Sequence, residues 1–316
     1  MRDAVAITAC LALSCGRAQG ISDRDLGGLV VAETRQPRPI GLDRAVTDPE
    51  ELGRALAVPH HEIVALLGEH AISIEMTTRV TENGNAISSL DETTAMERGD
   101  HGAFHAVYAN SQDYGKEVNF IDGKVYLRPR YQRWHVRDPA PANEPVVLAD
   151  QFYDPIYATW ELFSPGVSVS DKGSAQFAGR TGRAIAIGRA ASPRRPTAEP
   201  LAHRKWREQR TIEAITGDIV LDEQRGVPLA VNLSGTVRFQ RDGRNFAMQI
   251  SLHSAVAKVG QAAQIAPPTA DEVVATPERM REVDDRDFLL QGIAPPVHRP
   301  RNGPSDKPAA QGEAAP

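Results

Sequence analysis

Cysteine is nearly missing from this chain of 316 residues: there are two, Cys10 and Cys15, and none follows. The body therefore holds no disulfide and no thiolate metal site. Aromatic residues are scarce, at 5%. Charge of one sign is lacking too, since 36 Lys and Arg stand against 41 Asp and Glu, a net of -5. The field of the whole chain thus favours neither nucleic acid nor a strongly acidic partner. The most apolar N-terminal run, Ala4 to Leu13, is far too short to span a bilayer. Catalytic signatures are missing as well. There is no G-x-S-x-G elbow, Gly179-Arg180-Thr181-Gly182 lacks the Lys-Ser/Thr continuation of a phosphate loop, and His61-Glu62 lacks the second histidine of a zinc helix. No internal repeat is found.

What is there begins with an export segment. Residues 1–20, MRDAVAITACLALSCGRAQG, place Arg2 ahead of the apolar run, the form of a cleaved signal. LALSC resembles a bacterial lipobox with Cys15 as the acylated residue, although Ala12 and Leu13 depart from its usual order. A lipoprotein's several chains hold firmly where one alone holds weakly. Gly16 after the cysteine, rather than Asp, points to an outer-membrane anchor facing periplasm or surface in a Gram-negative cell. Cleavage without lipid, giving a soluble periplasmic protein, and a retained N-terminus are the alternatives. Residues 21–47 carry Gly, Pro and Arg without period and read as a flexible tether.

A helix is expected from Asp48-Pro49-Glu50-Glu51, an N-cap with proline at the first helical position, and it restarts at Pro59 to end at Gly68. The period then changes to two. Ile72, Ile74, Met76, Thr78 and Val80 alternate with polar residues up to the turn Glu82-Asn83-Gly84-Asn85. Strands are expected near 86–98, 102–110, 114–121, 124–129 and 132–137, then near 174–190, 211–223 and 227–259. The last is a hairpin. Val231, Leu233, Val237 and Phe239 run to Asp242-Gly243, and Phe246, Met248, Ile250 and Leu252 return. Even spacing with short turns indicates an antiparallel meander. Residues 144–163 differ, because Val147, Leu148, Phe152, Ile156, Trp160 and Phe163 recur at helical intervals with Pro155 as a kink or break. This helix should lie on the sheet. Residues 191–210 read as a basic, Pro-rich loop around Trp206, residues 269–293 as a helical extension opening at Thr276-Pro277-Glu278, and residues 294–316 as a disordered tail.

The closing stretch, residues 217–268, carries a resemblance. Asp222, then Gly226-Val227-Pro228-Leu229, two long strands and Ile265-Ala266-Pro267-Pro268 make it similar to the end of LolA/LppX-like periplasmic lipoproteins. The likeness covers residues 50–268, mostly by pattern. It implies an α+β fold, a strongly curved antiparallel half-barrel sheet with helices covering its concave face, as a binding domain over residues 48–268. It also implies an apolar cavity for lipid or lipoprotein acyl chains. The candidates to line it are Ile72, Ile74, Met76, Phe104, Tyr108, Phe152, Trp160, Leu233, Val237, Phe239, Phe246, Met248 and Ile250. Alternation alone does not separate such a cavity from a filled core.

Other constellations weigh less. His101 and His105 would share a strand face about 13 Å apart, too far for one metal. His60 and His61 read as surface histidines. Asp91 and Glu92 fall on opposite faces of a strand. Arg194, Arg195, Arg204, Lys205, Arg207 and Arg210 around Trp206 suit anionic head groups or simply keep a loop soluble. Arg128, Arg130, Arg133 and Arg137 beside Tyr126, Tyr131 and Trp134 read equally as cross-strand packing. The expectation is a non-catalytic, lipid-anchored envelope protein without cofactor or metal, whose partner is a lipid or an acylated protein and not nucleic acid. Two alternatives remain open: an envelope interaction protein with a filled core, and a hydrolase assembled from distant strands.

Overall fold

Twelve strands form one open sheet in the computed structural model, which describes residues 41–194, 207, 210–241 and 243–275. The export segment with Cys15, most of the tether, most of the basic loop with Trp206, the helix expected from Thr276 and the tail lie outside these residues. So does Asp242 of the hairpin turn.

The meander is β1 (Ala71–Glu82), β2 (Asn85–Arg98), β3 (Phe104–Asn110), β4 (Gly115–Ile121), β5 (Lys124–Pro129) and β6 (Trp134–Arg137). The second half is β7 (Val167–Phe177), β8 (Arg180–Arg189), β9 (Thr211–Asp222), β10 (Pro228–Arg241) and β11 (Arg244–Ala257), with a short β12 (Val273–Ala275). Their spatial order is β12-β6-β5-β4-β3-β2-β1-β11-β10-β9-β8-β7. All pairs are antiparallel except β12 with β6. The two halves join where β1 pairs with β11, Ile72 opposite Val256 and Met76 opposite Leu252. β12 and β7 are the edges, so the sheet does not close.

Among the described residues the sheet is accompanied by α1 (Leu42–Ala45), α2 (Pro49–Leu56), α3 (His60–Leu67), α4 (Glu144–Tyr153) and α5 (Pro155–Phe163). Asp48 caps α2, its carboxylate accepting from Glu50 N–H at 2.8 Å. Helices α4 and α5 connect β6, next to one edge, with β7 at the other. A flat sheet would set those strands roughly 50 Å apart, whereas the residues of α4 and α5 span about 30 Å of helix. Lengthened by residues 138–143 and 164–166, the connection runs across the curved sheet. On its way α4 packs against β2 and β3, and α5 against β10 and β11.

Several expectations shift. The split expected at Pro155 in the helix over 144–163 falls at Asp154, because Pro155 has no N–H to give the preceding turn. β7 starts at Val167 rather than near 174: as an edge strand it is mostly polar, so its alternation is faint, and it bulges between Asp171 and Gly173. His101 is not in a strand; it sits in a 3₁₀ turn with φ of 54°. At the expected boundaries, residues 42–45 are helical and Ala45 is fully buried, while β12 extends the sheet past residue 268.

The core lies between the sheet and the helices. Ile72, Ile74, Phe104, Ile185, Ile219, Leu233 and Val237 meet Leu52, Phe152, Ile156, Trp160 and Phe163. Gly235 is required by this contact: a Cβ there would come within 2.6 Å of the Phe163 ring and 2.8 Å of the Ala214 carbonyl. Gly235→Ala is expected to destabilise the protein by about 1–3 kcal/mol through overpacking, read as a lower urea midpoint at unchanged slope.

Candidate functional site

The core does not fill the space under the sheet. Beside α5 a cleft of about 630 Å³ lies between β1, β2, β3, β4 and β11 on one side and the α4–α5 corner on the other. Met76, Met248 and Ile250 form its sheet wall, and Phe152, Pro155, Ala158 and Leu162 its helical wall. Period two puts them there, since Met76 continues the face of Ile72 and Ile74, and Met248 that of Ile250 and Leu252.

Polar side chains interrupt this surface. Glu92 points inward from β2 and accepts a hydrogen bond from the Tyr108 hydroxyl at 2.6 Å. Burial raises its carboxyl above the usual range, against the pull of that bond. Lys116 of β4 is 8% exposed, with Nζ 5.1 Å from the centre of the Phe152 ring. Burial lowers its amine to about 8, while Asp154 acts the other way. Asp154 itself is raised, by burial first and then by Asp150. The Thr159 hydroxyl approaches the Met76 sulfur at 3.8 Å, and Arg207 donates to Glu161 at 2.8 Å. The Gln151 side-chain oxygen is buried with no hydrogen bond among the described residues.

The helical wall is tied down at three points. Arg137 of β6 donates to Glu144 at the start of α4 at 2.6 Å, and Glu144 also accepts the Ala140 N–H at 2.8 Å. Asp150 receives both the His61 N–H, at 2.9 Å, and the His61 Nδ1, at 2.8 Å. Arg210, just before β9, donates to the Leu162 carbonyl at 2.9 Å. Charged hydrogen bonds of this kind hold the connection in register with the sheet.

Of the thirteen residues expected to line a cavity, the structure brings Met76, Tyr108, Phe152, Met248 and Ile250 to the cleft. Ile72, Ile74, Phe104, Trp160, Leu233 and Val237 are packed in the core. Phe239 and Phe246 stack at the far end of the hairpin, ring centres 5.4 Å apart, beside a surface groove with Arg238 and Gln240. Sequence reasoning missed Lys116, and it named Glu92 only as one of a carboxylate pair on opposite strand faces, not as part of a cavity. The signal was there: each is a charge on the apolar parity of its strand, Glu92 with Thr94 and Met96, Lys116 with Val118.

His60 is a correction. It is not a surface residue but 1% exposed, its Nε2 3.1 Å from that of His70. Such a bond needs one ring nitrogen with a proton and one without. Burial lowers both pKa values, and His70 Nδ1 donates to the Gly68 carbonyl at 2.8 Å. The folded protein therefore binds these protons at lower pH than the unfolded chain. The stability that depends on the neutral pair is complete above the ordinary value of 6.5 and is lost as pH falls below it. Thermal melts between pH 8 and 5 should show Tm declining below about 6.5, and His60→Gln should flatten that decline.

The outward face carries its own polar cluster. His105 and Arg128 both bind Glu117, at 2.7 and 3.0 Å, and the Arg128 guanidinium lies 4.5 Å from the centre of the Trp134 ring. Asp91 also faces outward, bound by Arg79 at 2.7 Å, opposite in direction to Glu92. No group of three or more metal-ligating side chains occurs among the described residues.

No family model matches this sequence, and no curated protein matches it. Among solved structures the chain is similar to LprF from Mycobacterium bovis, with 14% identity over 71% of this chain and 100% of that one at a TM-score of 0.28. It is similar to the lipoprotein LppX of Mycobacterium tuberculosis, with 12% identity over 70% and 100% at 0.24. A LolA-superfamily protein from Nitrosomonas europaea follows at 7% identity over 67% and 96%, with a TM-score of 0.18. All three likenesses are at low identity and low TM-score, and what the cleft holds is argued below from its own residues.

Proposed function

We propose that the protein is an exported, lipid-anchored component of the cell envelope that holds the acyl chain of a lipid or of an acylated protein in the cleft, without catalysis. In this reading α4 and α5 cover the concave side of a half-barrel, and Cys15 carries the anchor. The observation that supports it is the 630 Å³ cleft with Met76, Met248, Ile250, Phe152 and Leu162 on its walls. A space of that size is in the range of small-molecule sites. Each methylene that enters it contributes about 0.8 kcal/mol, and non-directional attraction of this kind tolerates chains of varied length. Two methionines in the sheet wall add deformable, polarisable surface suited to such variety.

Native mass spectrometry of the protein purified from membranes is expected to show a bound lipid that organic extraction removes. The extracted protein should then take up a fatty-acid probe that brightens in apolar surroundings. A protein that carries no lipid and takes up no probe would overturn the reading. For the anchor, Cys15→Ser is expected to release the protein from the membrane fraction into the soluble one.

A further inference from the structure

We propose that the cleft selects an acidic amphiphile, its carboxylate or phosphate head group seated at Lys116 and its chain running across the sheet toward Met248 and Ile250. This rests on the cleft being a ligand site. Lys116 stands on β4 and the two apolar residues on β11, with β3, β2 and β1 between them. Four strand spacings are about 19 Å, enough for an extended acyl chain. The apolar wall thus has a cation at one side, beside the Phe152 ring.

The other charges around the cleft fit this polarity. Arg207 is engaged by Glu161 at 2.8 Å, on the helical wall. Glu92 from β2 is bound by Tyr108 from β3, and Asp154 from the α4–α5 corner acts on Lys116 through space. Burial raises both carboxyls above their ordinary range. Gln151 also lines the cleft, and its buried side-chain oxygen finds no hydrogen bond among the described residues.

The test is calorimetric titration of the full-length, delipidated protein with four probes of one chain length: dodecanoate, dodecyl phosphate, dodecanol and dodecylammonium, all below micelle-forming concentrations. The acids are expected to bind at least about tenfold tighter than dodecanol, the worth of one charge-assisted hydrogen bond. Comparing the two acids tells a carboxylate source from a phosphate source. Lys116→Met should abolish the preference, Lys116→Arg should keep it, and Glu92→Gln should increase it. In the unaltered protein the preference should fade as pH rises through about 8, where Lys116 loses its proton. Equal binding of dodecanol and the acids, tightest binding of dodecylammonium, or a preference that survives Lys116→Met would overturn the proposal while leaving an apolar site in place. Failure of all four probes to bind would instead remove the site itself, and this proposal with it.

Discussion

Trp160→Ala is expected to cost the protein about 3–5 kcal/mol, the loss associated with deleting a large buried aromatic side chain. Trp160 is 2% exposed on α5 and belongs to the core that joins the helices to the sheet. Its indole also sits directly on α2, since a Cβ at Gly53 would come within 2.7 Å of Nε1. Removing it therefore loosens two contacts together, α5 with the sheet and α5 with α2. At 2–4 °C per kcal/mol for a domain of this size the melting temperature should fall by roughly 10 °C. Differential scanning calorimetry checks this. A loss below about 1 kcal/mol would mean that the indole is not part of the packed core. Because α5 also forms one wall of the cleft, the same variant should bind an acyl probe more weakly.

Met248→Glu is expected to do the opposite, removing binding while sparing the fold. Met248 lies on the cleft wall but is only partly buried, so an ionised carboxylate there can still reach water in the empty protein. Once a chain covers it, the charge must be desolvated beside methylenes or neutralised, a cost of several kcal/mol. Affinity for a fatty-acid probe should drop by more than about a hundredfold, with Tm moving by no more than a few degrees. Unchanged affinity would place the ligand elsewhere. The contrast between the two variants separates packing from binding: Trp160 stabilises the cleft's frame, and Met248 meets what enters it.

Much of the sheet was legible because alternation is a local signal. β2, β4, β5 and β9 run within a residue or so of where period two and turn residues placed them, and Asp-Gly marked the β10–β11 hairpin. β7 was half lost, since an edge strand lacks the continuous apolar face that makes alternation visible. The short helix at Leu42–Ala45 was hidden inside a Gly- and Pro-rich stretch. The cleft was legible only in part. Parity could say that Met76 and Ile74 share a face, but not that Ile74 would be packed at 2% exposure while Met76 borders open space. That difference comes from where Pro155 breaks the helix and how Phe152 and Leu162 then sit, over strands distant in sequence.

By itself the sequence determined the kind of structure: antiparallel strands with one apolar face, a proline-broken helix to lie on them, and a body without thiol chemistry. These follow from periodicity, turn residues and composition, which act over a few residues at a time. The pairing of β1 with β11, the hydrogen bond between His60 and His70, and the placing of Glu92 and Lys116 on either side of Tyr108 in one cleft were decided only by the tertiary structure. Each depends on the order in which strands assemble and on the volume that remains once the helices have docked. Nothing local encodes that volume, because it is set by what the chain fails to fill.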